Sequence, residues 1–155
     1  MTTQEDLKFD RSLLGVEHAA GTFHITKELI LAYAGIIGET NPIYVDEEEA
    51  IKSEYGGLIA SPTLCNLFTS PMDHPDINLE AAGAGFHAGQ ALESIETVRP
   101  GDTLEAMTKL KEVYAKTGRS GTMVFVVWET TFVNQDQVKV AAVQESFVRR
   151  LKEQE

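Results

Sequence analysis

A single cysteine, Cys65, excludes a disulfide within the chain and any metal site built on cysteine pairs. Histidine is nearly as scarce. His18, His24, His74 and His87 are scattered, without the spacing that sets two imidazoles on one metal, so no metal site is expected. Basic residues are outnumbered, with 13 Lys and Arg against 24 Asp and Glu and a formal net charge of −11. Nucleic-acid binding is driven by Lys and Arg neutralising phosphates, so a nucleic-acid partner is not expected either. No apolar run approaches the roughly eighteen residues that span a bilayer. Residues 1–10 are polar and acidic, unlike an export signal. A cytoplasmic protein without a membrane partner is the expectation. There is no repeat and no low-complexity linker.

What is present is the balance of a folded protein, 43% hydrophobic and 24% charged residues. A chain of 155 residues is enough for one domain, residues 1–155, with a core of its own. A short strand over 21–25 leads into a helix over 27–37. There Leu29, Ile30, Tyr33, Ile36 and Ile37 share one helical face. Thr26 is placed to cap it, Ile25 and Ile30 to staple its start, and Gly38 to end it. Asp46 caps a second, short helix whose first turn holds Glu47, Glu48 and Glu49, and Gly56-Gly57 break it. Ser61-Pro62 introduces an apolar stretch, 63–70, read as a helix with Leu64, Leu67 and Phe68 on one face. A loop covers 71–84.

The remainder reads as four strands, over 86–97, 103–114, 122–133 and 138–151. Leu104, Ala106, Thr108, Leu110, Glu112 and Tyr114 alternate with more polar neighbours. The strand over 122–133 is apolar on both faces and so should be central. One early helix followed by antiparallel strands is an α+β pattern, with helix on one face of the sheet. Periodicity does not choose among such folds.

One loop is dense in polar groups: Gly38-Glu39-Thr40-Asn41-Pro42-Ile43-Tyr44-Val45-Asp46. With Tyr33-Ala34 before it, the loop resembles the signature of the MaoC-like (R)-specific enoyl-thioester hydratases and 3-hydroxyacyl-thioester dehydratases. That signature runs Tyr-Ala, a few residues, then Gly-Asp-x-Asn-Pro-Ile-His-x-Asp. Two further stretches are similar in order, Gly57-Leu58-Ile59-Ala60-Ser61-Pro62 and His87-Ala88-Gly89-Gln90 followed by Arg99-Pro100-Gly101-Asp102. The resemblance spans about residues 15–149. It implies a hotdog fold, a curved antiparallel sheet wrapped around a long central helix. It also implies an acyl-thioester ligand carried on coenzyme A or acyl carrier protein, with no bound cofactor.

Adding water across a conjugated double bond needs a base for the water and an acid for the α-carbon. In the family resembled, an aspartate and a histidine hold that water, and backbone N–H groups at a helix start meet the thioester carbonyl. Here Glu39 stands for the aspartate and Tyr44 for the histidine. Glu39 moves the carboxylate by one methylene. A phenol, with a pKa of about 10, is a poor base at neutral pH, though it is an acid or an orienting donor. The resemblance assigns substrate contacts to Asn41, Pro42, Thr63 and Leu64, and leaves His87 as the best surviving imidazole. The substitutions resemble the non-catalytic subunit of a heterodimeric dehydratase, the channel-forming partner of an Asp/His-bearing chain. The alternatives are a self-sufficient homodimeric hydratase using Glu39 and Tyr44, and a thioester-binding protein without a reaction. A thioesterase ranks below these because of the Asn-Pro loop. Cys65 and Trp128 are expected in the core, Gln90 and Glu93 on opposite faces of one strand, and Arg149, Arg150 and Lys152 at a solvated basic end.

Overall fold

The computed structural model describes residues 7–119 and 121–151. The elements in chain order are β1 (Glu17–His24), α1 (Lys27–Ile36), α2 (Pro42–Val45), α3 (Glu47–Ile51), α4 (Asn66–Thr69), β2 (Ala81–Ser94), β3 (Thr103–Gly118), β4 (Gly121–Val133) and β5 (Lys139–Leu151). The strands form one sheet in the order β1-β3-β4-β5-β2, and every neighbouring pair is antiparallel. β4, apolar on both faces, is central as its composition requires. β1 and β2 are the two edges.

The start of α1 follows its local chemistry. Thr26 accepts the Leu29 N–H at 3.1 Å, and Ile25 and Ile30 are both buried in the core. The end of α1 does not follow the expected face. Ile30 and Ala34, one turn apart, carry the burial, with Leu29 and Tyr33 packed beside them. Ile36 is 82% exposed and Ile37 is exposed as well, because neither belongs to a core cluster. The helix has 10 residues, and its last turn extends beyond the packing surface.

The stretch read as a helix over 63–70 is helical only at Asn66–Thr69. Before it the backbone closes four-residue turns, with the Leu64 N–H on Ser61 O and the Asn66 N–H on Thr63 O, each at 3.0 Å. Leu64 and Phe68 are buried one turn apart, whereas Leu67 is exposed. The loop expected over 71–84 ends at residue 80, and β2 starts and stops earlier than its expected 86–97. In β3 the alternation holds through Leu110 and then flips. A register shift between Leu110 and Glu112 opposite β4 turns Val113 inward and leaves Glu112 exposed. A bulge of this kind adds one residue to one strand and reverses its facing from there on.

A stack of three phenylalanines ties β1, α4 and β4 together. Phe23 and Phe68 lie parallel with centroids 4.3 Å apart, and Phe132 tilts against both at 6.3 and 6.1 Å. Asp46 caps α3 as expected, its Oδ1 accepting the Glu48 and Glu49 N–H groups at 3.0 and 3.1 Å. Asp46→Ala is expected to cost about 1 kcal/mol, the usual worth of such a cap, read as a shifted midpoint of urea unfolding with an unchanged slope.

Candidate functional site

The loop after α1 is built by its own side chains. Gly38 takes φ +71°, a left-handed conformation that lets the chain leave the helix. The Glu39 N–H closes on Ala34 O at 2.8 Å. The Glu39 side chain then folds back, and its Oε1 accepts the Thr40 and Asn41 N–H groups at 2.9 and 3.1 Å. Asn41 Oδ1 accepts the Ile43 N–H at 3.2 Å and caps α2, with Pro42 at the first helical position. The loop is fixed to the next segment by the Ile59 N–H on Ile43 O at 3.1 Å.

This arrangement carries Tyr44 to the wall of a cavity of about 180 Å³, shared with Tyr55, Leu64, Cys65, Glu96 and Val140. Burial raises the Tyr44 hydroxyl above its ordinary 10.0, and the charge of Glu39 and the neighbouring Tyr55 raise it further. Cys65 lies on the same wall, and burial pushes its thiol up to about 12, which leaves it without a thiolate at neutral pH. Thr63 is held by Tyr33, whose hydroxyl is 2.9 Å from Thr63 Oγ1 and 3.0 Å from Thr63 O. The helix start expected at Thr63–Leu64 lies instead at Asn66, and the Leu64 N–H is engaged within its turn.

His87 is not on this wall. It stands on β2 with its ring edge-on to Phe147 at 5.5 Å and its Nε2 3.8 Å from Glu145 Oε1. Glu145 is only 6% exposed, and its Oε1 accepts Thr69 Oγ1 at 2.9 Å and Gln90 Nε2 at 3.0 Å. Of the expected site residues, Tyr44 and Leu64 line this cavity; Glu39, Asn41 and Pro42 build the loop that carries Tyr44, and Thr63 and His87 are not on the wall. Sequence reasoning missed Glu145. Its signal is a charged residue between Val143 and Phe147, which alternate with it on one face of β5.

A second, larger cavity of about 460 Å³ lies on that side. Met72, Ile77, Leu79, Val126, Trp128 and Phe147 form its apolar wall, with Thr69, His74 and Arg149 also on it. Lys152, read with Arg149 and Arg150 as a basic end, lies outside the described residues. His74 stacks on Trp128 at 4.4 Å, nearly parallel. Burial lowers the His74 pKa below 6.5, while the charges of Glu145 and Asp73 pull the other way. A folded-state pKa below the unfolded one means that the neutral ring contributes stability above about pH 6.5, lost as pH falls through the folded value. His74→Phe keeps an aromatic ring on Trp128 without the titration. It is expected to lessen the fall in melting temperature between about pH 7 and pH 5, followed by thermal unfolding in the two buffers.

Among the described residues, no three His, Cys, Asp or Glu groups are placed to hold a metal ion. No helix among them is long and apolar enough to cross a membrane.

Residues 12–143 match the family described as FAS1-like, dehydratase domain region. A UPF0336 protein of Streptomyces avermitilis is 25% identical over 118 residues, which are 72% of this chain and 78% of that one. The MaoC-like dehydratase of Rhodospirillum rubrum superposes with a TM-score of 0.68 at 23% identity, over 99% of this chain and 100% of its own. A chain of the HadBC (3R-hydroxyacyl-ACP dehydratase) complex of Mycobacterium tuberculosis superposes with a TM-score of 0.69 at 18% identity, over 90% and 98%. The fold is the hotdog fold of such proteins.

Proposed function

The chain belongs to the FAS1-like dehydratase-region family of hotdog hydratases and dehydratases, and from that membership we propose that it is the channel-forming subunit of an acyl-thioester hydratase or dehydratase. Its ligands are 2-enoyl and 3-hydroxyacyl thioesters of coenzyme A or acyl carrier protein, and the reaction needs no bound cofactor. The base that takes the proton from water belongs to a homologous subunit bearing Asp and His.

The observation that carries this reading is the state of the two substituted positions. The Glu39 oxygen that faces the loop already accepts two backbone N–H groups. Tyr44 has its hydroxyl raised above 10.0, so at neutral pH it holds its proton and donates. Tyr44 is therefore unsuited to deprotonate water and Glu39 is engaged through Oε1 in holding its own loop, whereas a hydroxyl donor beside a cavity is suited to orient a carbonyl. Asn41 and Pro42 shape the loop behind Tyr44, and Thr63 and Leu64 border the ligand from the next segment. The larger cavity, with its six apolar side chains, suits an acyl chain.

The partner is a second hotdog subunit. β2 has 14 residues with, among the described residues, no strand on its outer side, and Phe86 on it is 69% exposed. A long edge of this kind is a template for another strand. The loss of the catalytic pair favours a heterodimer over a homodimer.

The test is hydration of crotonyl-CoA by the purified chain, alone and mixed with an Asp/His-bearing subunit. Activity only in the mixture supports the reading. Activity of the chain alone that Tyr44→Phe or Glu39→Gln abolishes replaces it with the self-sufficient homodimeric hydratase. Absence of thioester binding together with absence of pairing rejects both.

A further inference from the structure

Between its two core clusters the sheet carries one seam of polar residues. On β3, Thr108 stands between Ala106 and Leu110; on β4, Thr130 between Trp128 and Phe132; on β5, Glu145 between Val143 and Phe147. In each case one flanking residue packs with the cluster around Phe132 and the other with the cluster around Trp128. The seam is hydrogen-bonded in two groups. Thr130 Oγ1 donates to Thr108 Oγ1 at 3.1 Å, and Thr69, Gln90 and Glu145 form a closed triangle at 2.9, 3.0 and 3.3 Å. Packing with valine or leucine would hold these clusters together without burying a carboxylate, which is costly unless its hydrogen bonds are made.

The larger cavity meets one end of this seam. Thr69 lines it, and so do Trp128, the cross-strand neighbour of Glu145, and Phe147, two residues further along β5. The direction of the hydrogen bonds then matters. A carboxylate only accepts, so Thr69 gives its one proton to Glu145 at 2.9 Å, a nearer acceptor than Asn66 O at 3.2 Å. One lone pair of Thr69 Oγ1 takes the Gln90 amide at 3.3 Å. The other is left for a donor. A ligand hydroxyl there completes a chain from ligand to Thr69 to Glu145 in which each bond polarises the next. At Thr69 an acceptor-only group finds no proton to take, because the one hydroxyl proton is held by Glu145.

We propose that the larger cavity selects an acyl chain that carries a hydroxyl along its length, with Thr69 and Glu145 as the specificity-determining pair. This rests on the reading of that cavity as the acyl site. Trp128 is the single tryptophan of the chain and lies on the cavity wall, so its fluorescence reports occupancy directly. The probes are two isomers of equal size, 1-octanol and 1-methoxyheptane, of which only the first has a donor. Titrated into the full-length chain, 1-octanol is expected to bind about tenfold more tightly, the worth of one hydrogen bond into a charge-assisted chain. Thr69→Val, similar in shape, is expected to bring the two isomers within about twofold of each other, and Glu145→Gln to reduce the preference in part. Equal affinity of the two isomers for the unmodified chain overturns the selection and leaves the acyl-cavity reading standing. Preference undiminished in Thr69→Val also overturns it. No response of Trp128 to either isomer overturns both.

Discussion

Phe132→Ala is expected to remove about 3–5 kcal/mol of folding stability and to lower the melting temperature by roughly 10 °C. The side chain is completely buried and packs against two other rings. Truncation leaves a cavity bounded by Phe23 on β1 and Phe68 on α4, and these belong to different elements that do not collapse together. The loss therefore includes both the transfer of the ring and the void that remains. The effect reaches the site as well. Phe68 fixes α4, Thr69 ends that helix, and Thr69 is the residue that joins Glu145 to the larger cavity. Thermal unfolding followed by circular dichroism measures the stability. A loss below about 1 kcal/mol would mean that α4 closes onto β4 without strain, and that this stack does not hold the helix in place.

The other large effect is catalytic. Mixed with an Asp/His-bearing subunit, the chain is expected to take part in hydration at least a hundredfold faster than it manages alone, since a positioned acid–base group contributes about 10²–10⁴. The argument is one of proton inventory. Water must lose a proton as its oxygen meets the β-carbon, and the α-carbon must gain one. Tyr44 holds its proton throughout the neutral range, and one of the two Glu39 oxygens, Oε1, is occupied by loop amides. Replacing the histidine of the other subunit should return the mixture to the background rate. A mixture that stays active after that replacement would place the base in this chain and end the channel-subunit reading.

Much of this was legible where the physics is local. Thr26, the Ile25–Ile30 staple and Gly38 bound α1 through contacts within a turn or two of each other. Asp46 announces α3 in the same way. β4 reveals its central place because a strand covered on both faces has no polar side to show. Apart from the local turns that delay α4 to Asn66, the misses are non-local. The bulge in β3 depends on pairing with β4, so Glu112 and Tyr114 continue the alternation on paper while Val113 takes the buried position. Exposure of Ile36 and Leu67 is decided by where the sheet ends, which helical periodicity does not encode. His87 was visible as an imidazole and Glu145 was missed, because their approach depends on β2 lying beside β5. Two elements far apart in the chain meet there only because β2 crosses to the far edge of the sheet.

That crossing also bears on how the chain has to be produced. With β2 outermost, a copy made in excess offers a 14-residue row of open backbone groups, flanked by small residues and by exposed Phe86. Such a surface accepts strands without regard to identity. On the proposed pairing with a second hotdog subunit, the dosage of this chain is coupled to that of its partner. Surplus copies would pair with themselves or enter aggregates, and balanced synthesis with the covering subunit would raise the soluble yield of both.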